Sequence, residues 1–233
     1  FLLTTNSPGV RRAGIISETA PPAANKLSEK SFFFSKPEFI EGDEHKIYAS
    51  MENYQVSRSN TLKELYDLEK HNNYLFEAIY NVEAYSKEEK FSTPKFKIPT
   101  IELLSYATGC MVGRYSLDKE GLVYAQSGNE GFKELETEGV YKSFPADDDG
   151  IIPLASEEWL FDDDATTRFK EFVKTVWGDE HLTENLEFVA ESLCLHALKP
   201  KKGESAMDTI RRYFSTQFFK DHRKTYKKRP IYW

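Results

Sequence analysis

The sequence has few of the residues and motifs from which catalytic and metal sites are built. Its two cysteines, Cys110 and Cys194, lie far apart in amphipathic runs. This placement is typical of free thiols in a reducing cytoplasm, not of a disulfide framework. The five histidines show no paired zinc spacing, and no C-x-x-C, G-x-S-x-G, Walker or G-x-G-x-x-G motif occurs. By its own residues, the chain contains no recognisable catalytic apparatus.

Long hydrophobic runs are also missing. No apolar stretch approaches the ~20 residues needed to cross a bilayer, and the opening residues have too short an apolar run for a signal peptide. A composition of 39% hydrophobic and 30% charged residues indicates a folded chain, not a disordered one. We therefore predict a cytoplasmic protein without membrane contact. The chain lacks an initiator Met and stops on an aromatic residue, so we expect both ends to be cut from a longer polypeptide.

Charge is distributed very unevenly along the chain. The net charge is −7, yet residues 199–233 contain eleven Lys or Arg and three acids, a local charge of +8. The first 198 residues therefore carry −15. A basic segment on an acidic body predicts contact with a polyanion, most plausibly nucleic acid, through that segment alone.

Composition and periodicity predict a mostly α (α+β) fold in three parts. Residues 1–54 are rich in Gly, Pro, Ser and Asn, and predict loops and short strands from an incomplete unit. Residues 55–97 predict a heptad-patterned helix followed by a charged linker. Residues 98–233 predict a helical domain with an acidic loop at 144–164 and a basic terminal helix at 205–229.

The heptad-patterned helix is predicted to start at Thr61, which forms a capping-box pattern with Glu64. Apolar residues then recur at alternating spacings of three and four, with one asparagine between them: Leu65, Leu68, Asn72, Leu75, Ile79 and Val82. This is a coiled-coil seam, and its asparagine would specify register. Since it has under three heptads, we expect it to pack against another part of the protein.

Four further helices follow from apolar stripes and end signals. One is predicted from Thr100 to about Gly113, and one from Asp164 to Trp177 with Gly178 as its stop. The third runs from Thr183 to about Leu198. The predicted buried stripes of these three helices are, in order, Leu103, Leu104, Ala107, Cys110 and Met111; Phe169, Phe172, Val173, Val176 and Trp177; and Leu186, Val189, Ala190 and Leu193. The last runs from about residue 205 to 226, and buries Ile210, Phe214 and Phe218.

The acidic loop offers little metal-binding chemistry. Residues 147–152 look like part of a calcium loop, but alignment on Gly150 puts Pro145 and Ser156 where oxygen ligands belong. An acidic surface loop is the better interpretation. A metal-dependent nuclease that uses this run is a third and weaker functional alternative.

Four ordered segments resemble one family. The stretch GCMVGRYSLDKEGLVYA, the run FPADDDGIIPL and the closing RRYFSTQFFKDHRKTYKKRPIYW are similar to segments of PglX. PglX is the adenine-specific DNA methyltransferase of BREX phage-defence systems. The heptad helix, with NNYLFEAIY inside it, resembles the helix that follows the recognition region in related restriction–modification fusion enzymes. Together the segments cover most of residues 61–233. The resemblance implies that residues 1–54 are the incomplete remnant of a target-recognition region.

The resemblance implies that a parent enzyme transfers a methyl group from S-adenosylmethionine to adenine in a short DNA site, after flipping the base. In phage defence, this methylation would mark self DNA. The chain has no N-P-P-Y loop and no glycine-rich cofactor motif, so no catalytic, cofactor-binding or metal-binding residue is assigned to it. S-adenosylmethionine would bind outside this stretch.

Two hypotheses follow for the stretch itself. In the first, it helps to recognise double-stranded DNA and supports the enzyme, with basic side chains on the phosphates. The predicted DNA-binding residues are Arg211, Arg212, Lys220, Arg223, Lys224, Lys227 and Lys228, with Arg11 and Arg12 as weaker candidates. In the second, it is a protein-interaction module. Its acidic loop and basic helix then dock other phage-defence proteins without direct DNA contact.

Overall fold

The computed structural model describes residues 37–40, 45–80, 99–125, 130–155 and 162–226. Within these ranges no strand occurs, which confirms the mostly α fold. A short 3-10 turn at Glu38–Ile40 precedes the α-helices, and a π-helical segment, Phe214–Phe218, joins the last two. The helices are α1 (Ile47–Tyr80), α2 (Pro99–Met111), α3 (Phe132–Thr137), α4 (Ala165–Trp177), α5 (Leu182–His196), α6 (Ala206–Tyr213) and α7 (Phe219–Thr225).

Helix α1 begins at Ile47, so the predicted start at Thr61 is wrong. The hydroxyl of Thr61 lies inside the helix and donates to the Ser57 carbonyl, with an O–O distance of 3.1 Å. The helix continues upstream because those residues also have a helical apolar stripe, which buries Ile47, Ser50, Met51, Tyr54 and Arg58. A threonine followed three residues later by glutamate therefore marks no boundary here.

The N-terminal part of the chain is only partly described. The short strands predicted in residues 1–54 fall mainly outside the described residues, while 38–40 and 47–54 are helical. The boundary predicted between residues 54 and 55 falls inside α1. Phe39, Ile47 and Met51 share one hydrophobic core with residues of the C-terminal helices.

Helices α4 and α5 confirm the predictions closely. The Asp164 carboxylate caps α4 by accepting from the backbone N–H of Thr167 at 2.8 Å, and Gly178 follows its last residue. The predicted stripe of α4 is buried, except for half-buried Val176. Helix α5 buries its predicted residues, Leu186, Val189, Ala190 and Leu193.

Helix α2 starts one residue before its predicted cap. Thr100 lies within the helix, where its hydroxyl is 2.7 Å from that of Ser192 on α5. The predicted apolar face of α2 is fully buried. Its side chains meet α4 in an aromatic cluster, in which the ring of Tyr106 lies 5.2 Å from that of Tyr115 and 6.3 Å from that of Phe172. This cluster lies at the centre of the core.

Two glycines around the end of α2 allow close approach of aromatic rings. A Cβ atom at Gly109 would lie 2.5 Å from the ring of Tyr115. Gly113 has a φ of +71°, and a Cβ there would lie 2.6 Å from the ring of Phe132. The spacing of four residues thus allows two rings to pack on the backbone of the α2 end.

No helix within the described ranges combines the length and the hydropathy that a bilayer span requires.

Candidate nucleic-acid interface

The C-terminal basic helix is one continuous rod built from α6, the π segment and α7. The Ser205 hydroxyl caps it by accepting from the backbone N–H of Asp208 at 3.1 Å. The predicted buried residues Ile210, Phe214 and Phe218 all lie in the core, and His222 continues their row. The sequence thus predicts both the helix and its buried face.

The π segment keeps this row facing the core. Residues spaced by four rotate about 40° per step around an ideal α-helix, so a long row at that spacing would leave the core. A π turn is wider and takes up part of the rotation. The rings of Phe214, Phe218, His222 and Tyr226 follow one another at centroid distances of 5.5, 5.9 and 4.8 Å. The opposite side of α7 therefore points away from the protein.

Arg211 is not available to a phosphate in this structure. Its side chain is only 4% exposed, and its Nε lies 3.4 Å from the Asp164 carboxylate. A second carboxylate, that of Asp208, lies 3.7 Å from its Nη1. The guanidinium therefore joins α6 to the start of α4, and its role here is structural.

Arg212 is also held by a carboxylate. Its Nε donates to Glu204 at 2.7 Å and its Nη2 to the other oxygen of the same carboxylate. The hydrogen bonds from Arg212 hold the pKa of Glu204 below its ordinary value, and those to Glu204 raise the pKa of Arg212. A bidentate pair of this kind closes the turn before α6, and competes with any phosphate for the guanidinium.

We expect the Arg212–Glu204 pair to contribute about 2 kcal/mol to the free energy of unfolding at neutral pH. Because the folded-state pKa of Glu204 is lowered, this contribution is present above the unfolded value near 4.5 and is lost as the pH falls through the folded value. Urea unfolding of Glu204→Gln and the unsubstituted protein between pH 7 and pH 3 measures it. The difference in free energy of unfolding between the two proteins should become smaller towards low pH.

The matched control for this prediction is Glu187→Gln, since Glu187 is exposed on α5. It should change the free energy of unfolding by less than about 0.5 kcal/mol at any of these pH values. A gap for Glu204→Gln that stays constant down to pH 3 would contradict the assigned pair.

The exposed cations of α7 form the candidate interface. Lys220, Arg223 and Lys224 occupy positions i, i+3 and i+4, which lie on one side of a helix, and all three are exposed. We call these three residues the cationic ridge. The Arg223 guanidinium lies 5.7 Å from the ring centre of Phe219, an exposed aromatic residue that the sequence did not single out. Phe219 lies one helical turn before Arg223, and this spacing could have predicted the contact from sequence.

The nearby acid, Asp221, is bonded to uncharged donors. Asp221 is half-buried and accepts from the Tyr213 hydroxyl at 3.3 Å and from the Gln217 amide at 3.1 Å. Burial, with this carboxylate nearby, raises the pKa of Tyr213, which stays a neutral donor. The carboxylate of Asp221 is thus engaged with side chains of the two preceding turns.

The other predicted DNA-binding residues, Arg11, Arg12, Lys227 and Lys228, lie outside the described residues. Lys199, Lys201 and Lys202, which also contribute to the basic charge, are exposed before α6. The part of the rod between them and the first ridge residue, from residue 205 to residue 220, is about 23 Å long. Three of the nine predicted residues are therefore described, exposed and close together.

The acidic loop is organised by its own backbone. Asp147 accepts from the N–H groups of Asp149 and Ile151 at 3.2 and 3.1 Å, and Asp149 accepts from Ile151 at 2.8 Å. Burial, followed by the neighbouring Asp149 carboxylate, raises the pKa of Asp147. Across the described ranges, no group of three His, Cys, Asp or Glu side chains is placed to hold a metal ion.

Comparison with known proteins decides the family resemblance. No family model matches the chain. It is 53% identical over 228 residues to the adenine-specific methyltransferase BrxX of Escherichia coli O9:H4 (strain HS), an alignment that covers 88% of this chain and 19% of that protein. The chain is PglX/BrxX-like.

A second relative extends this likeness to another organism. The adenine-specific methyltransferase PglX of Lacticaseibacillus casei (strain Zhang) is 36% identical over 195 residues, 80% of this chain and 15% of that protein. The predicted resemblance to PglX is confirmed. The chain spans less than a fifth of the length of the BrxX and PglX proteins it matches, so those names describe much longer proteins.

Proposed function

We propose that this PglX/BrxX-like stretch positions double-stranded DNA for an adenine-specific DNA methyltransferase of a BREX phage-defence system. The whole enzyme would use S-adenosylmethionine to mark self DNA. The observation that carries the proposal is the cationic ridge, three exposed cations on a helix whose opposite face is fixed in the core. The relatives named as adenine-specific methyltransferases support the enzyme class.

The chemical step is proposed to take place elsewhere in the longer protein. The sequence has no N-P-P-Y loop to grip a flipped adenine and no glycine-rich loop for S-adenosylmethionine. The residues present do not fit that cofactor, so we assign no methyl-transfer step to them. Their contribution is binding and orientation.

The ridge suits phosphate contact for two reasons. Its three cations are exposed, so a phosphate can reach them without rearrangement of the protein. Phe219 supports the Arg223 guanidinium from one side. Contacts of this kind set the register of a protein on a duplex without reading its sequence.

The test is a salt titration of duplex binding by Lys220→Gln/Arg223→Gln/Lys224→Gln. Loss of three phosphate contacts should lower the slope of log affinity against log salt by about 2.7, and weaken binding on the order of 100-fold at 0.1 M salt. Fluorescence anisotropy with a labelled duplex of about 20 base pairs measures both. Since the three side chains are exposed, thermal unfolding should be unchanged.

The matched control is Lys119→Gln/Lys133→Gln/Lys142→Gln, which removes three exposed cations away from the C-terminal helix. Its salt slope should equal that of the unsubstituted protein. If both triple variants lower the slope equally, the ridge has no special role and binding reflects overall charge. If neither does, DNA contact through the ridge is excluded, and docking of the ridge on an acidic protein, the alternative function, is favoured.

A further inference from the structure

The second half of α1 is not covered by the described rest of the protein. The buried residues of this 34-residue helix all lie between Ile47 and Arg58, and no residue from 61 to 80 is buried. Thr61, Leu62, Leu65 and Tyr66 are half-buried, and the residues from 67 to 80 extend about 20 Å further. Large apolar side chains among them are exposed, with Leu68 at 57% and Ile79 at 74%.

This uncovered half includes the predicted heptad seam. In heptad notation, Leu65, Asn72 and Ile79 occupy a positions, and Leu68 and Leu75 occupy d positions. The sixth member, Val82, lies outside the described residues. We call the five described residues the α1 seam. The expectation that the seam packs against another part of the protein is not met within the described ranges, so its occupant must be identified on other grounds.

Pairing of the α1 seam with a second copy is unfavourable in either direction. In a parallel pair, Asn72 meets Asn72, but Glu64 at a g position faces Glu69 at the following e position of the other copy, and like charges repel. In an antiparallel pair, a positions face d positions, so Asn72 lies against Leu68 or Leu75. A buried amide without a hydrogen-bonding partner is costly.

We propose that the α1 seam binds a basic-flanked amphipathic helix of a partner polypeptide, in parallel orientation. This partner helix has apolar a and d residues, an amide side chain opposite Asn72, and Lys or Arg opposite Glu64 and Glu69. Both obstacles to self-pairing then become attractions, because the amides hydrogen-bond and the charges are opposite. The pairing makes the stretch a docking module as well as a DNA-positioning one.

The surface beside the α1 seam differs between its two halves. The rings of Phe76 and Tyr80 lie 4.5 Å apart, with Phe76 at an e position beside the seam. An apolar flank there and an acidic flank at Glu64 and Glu69 give the two halves of the seam different chemistry. That difference places the basic residues of the partner helix beside the N-terminal half of the seam.

The experiment measures binding of a designed helix of about 21 residues, three heptads, to the whole chain. The probe has Ile and Leu at a and d, one Asn at the central a position and Lys at e and g. Calorimetry should give saturable binding, and hydrogen exchange should show protection confined to residues 61–80. A probe with Glu in place of Lys should bind at least about 10-fold more weakly, as should one with Leu in place of Asn.

Matched variants locate the site. Leu68→Ser/Leu75→Ser removes seam residues and should weaken binding of the Lys probe on the order of 100-fold. Tyr74→Ser removes one exposed ring at a c position, away from the seam, and should change binding by less than about 3-fold. Leu68, Tyr74 and Leu75 are all exposed, so neither variant should shift thermal unfolding.

Three results would overturn the proposal. One is absence of protection at residues 61–80 with the Lys probe. Another is equal binding of the Lys and Glu probes. The third is a concentration-dependent dimer, seen by sedimentation, that Leu68→Ser/Leu75→Ser abolishes, because a second copy would then be the occupant. Since the cationic ridge lies on α7, duplex binding should be unchanged by the seam variant, so failure of this proposal is distinct from failure of the DNA-positioning function.

Discussion

Asp164→Ala is expected to lower the free energy of unfolding by about 3–5 kcal/mol. The Asp164 carboxylate is fully buried, with one oxygen on the N–H of Thr167 and the other 3.4 Å from Arg211 Nε. Its removal costs the helix cap and leaves a guanidinium 4% exposed without its buried counter-ion. Urea unfolding followed by circular dichroism measures the change, which should lower the melting temperature by about 10 °C.

Two variants test whether the loss of stability in Asp164→Ala comes from the buried charge. Asp163→Ala changes the exposed neighbouring acid and should cost less than about 0.5 kcal/mol. Asp164→Ala/Arg211→Met should be more stable than Asp164→Ala alone, because it no longer contains a buried cation that has lost its buried counter-ion. If the double variant lost as much stability as Asp164→Ala and Arg211→Met lose together, a direct coupling between Asp164 and Arg211 would be contradicted.

Gly113→Ala is expected to destabilise the protein by about 2–4 kcal/mol. The backbone at Gly113 is left-handed, with φ at +71°, and the new methyl group would lie 2.6 Å from the ring of Phe132. The Gly113 carbonyl also accepts from the Tyr141 hydroxyl at 2.7 Å, which limits any backbone shift. Thermal unfolding followed by calorimetry measures the loss.

Gly150→Ala is a close control for the backbone contribution. Gly150 has nearly the same φ, +72°, but a methyl group added there would have no other atom within 4 Å. It should therefore cost only the left-handed penalty, about 1 kcal/mol. Gly113→Ala/Phe132→Leu should recover part of the Gly113→Ala loss. Equal costs at Gly113 and Gly150 would show that the ring contact adds nothing.

Local patterns were sufficient to predict most of the helices. Helix α4 has an aspartate cap, an apolar stripe and a glycine stop within fifteen residues, and each signal acts through neighbours along the chain. The predicted start of α1 is wrong because it rests on a local pattern alone. The pattern at Thr61 and Glu64 occurs equally well inside a helix, so it marks no start here, and the apolar stripe that includes Ile47 and Met51 packs on the core upstream of it.

For the candidate site too, local features could be predicted from sequence and tertiary contacts could not. The spacing of Lys220, Arg223 and Lys224 puts them on one helix face, and this could be predicted from sequence. The environment of Arg211 could not, because its partner Asp164 is 47 residues away. Helix α6 packs against both α4 and α5, so even a charged residue next to Ile210 becomes buried. Whether an arginine of this helix is buried in an ion pair or exposed depends on tertiary contacts, and helical periodicity carries no information about those contacts.

The length of α1 has a mechanical consequence. Its first three turns are fixed in the same core that holds the C-terminal rod, and the helix continues without a break for about 50 Å in all. An unbroken helix resists bending, so it acts as a lever arm. Any body that grips its far end would also set the angle at which Lys220, Arg223 and Lys224 meet their target, without touching them.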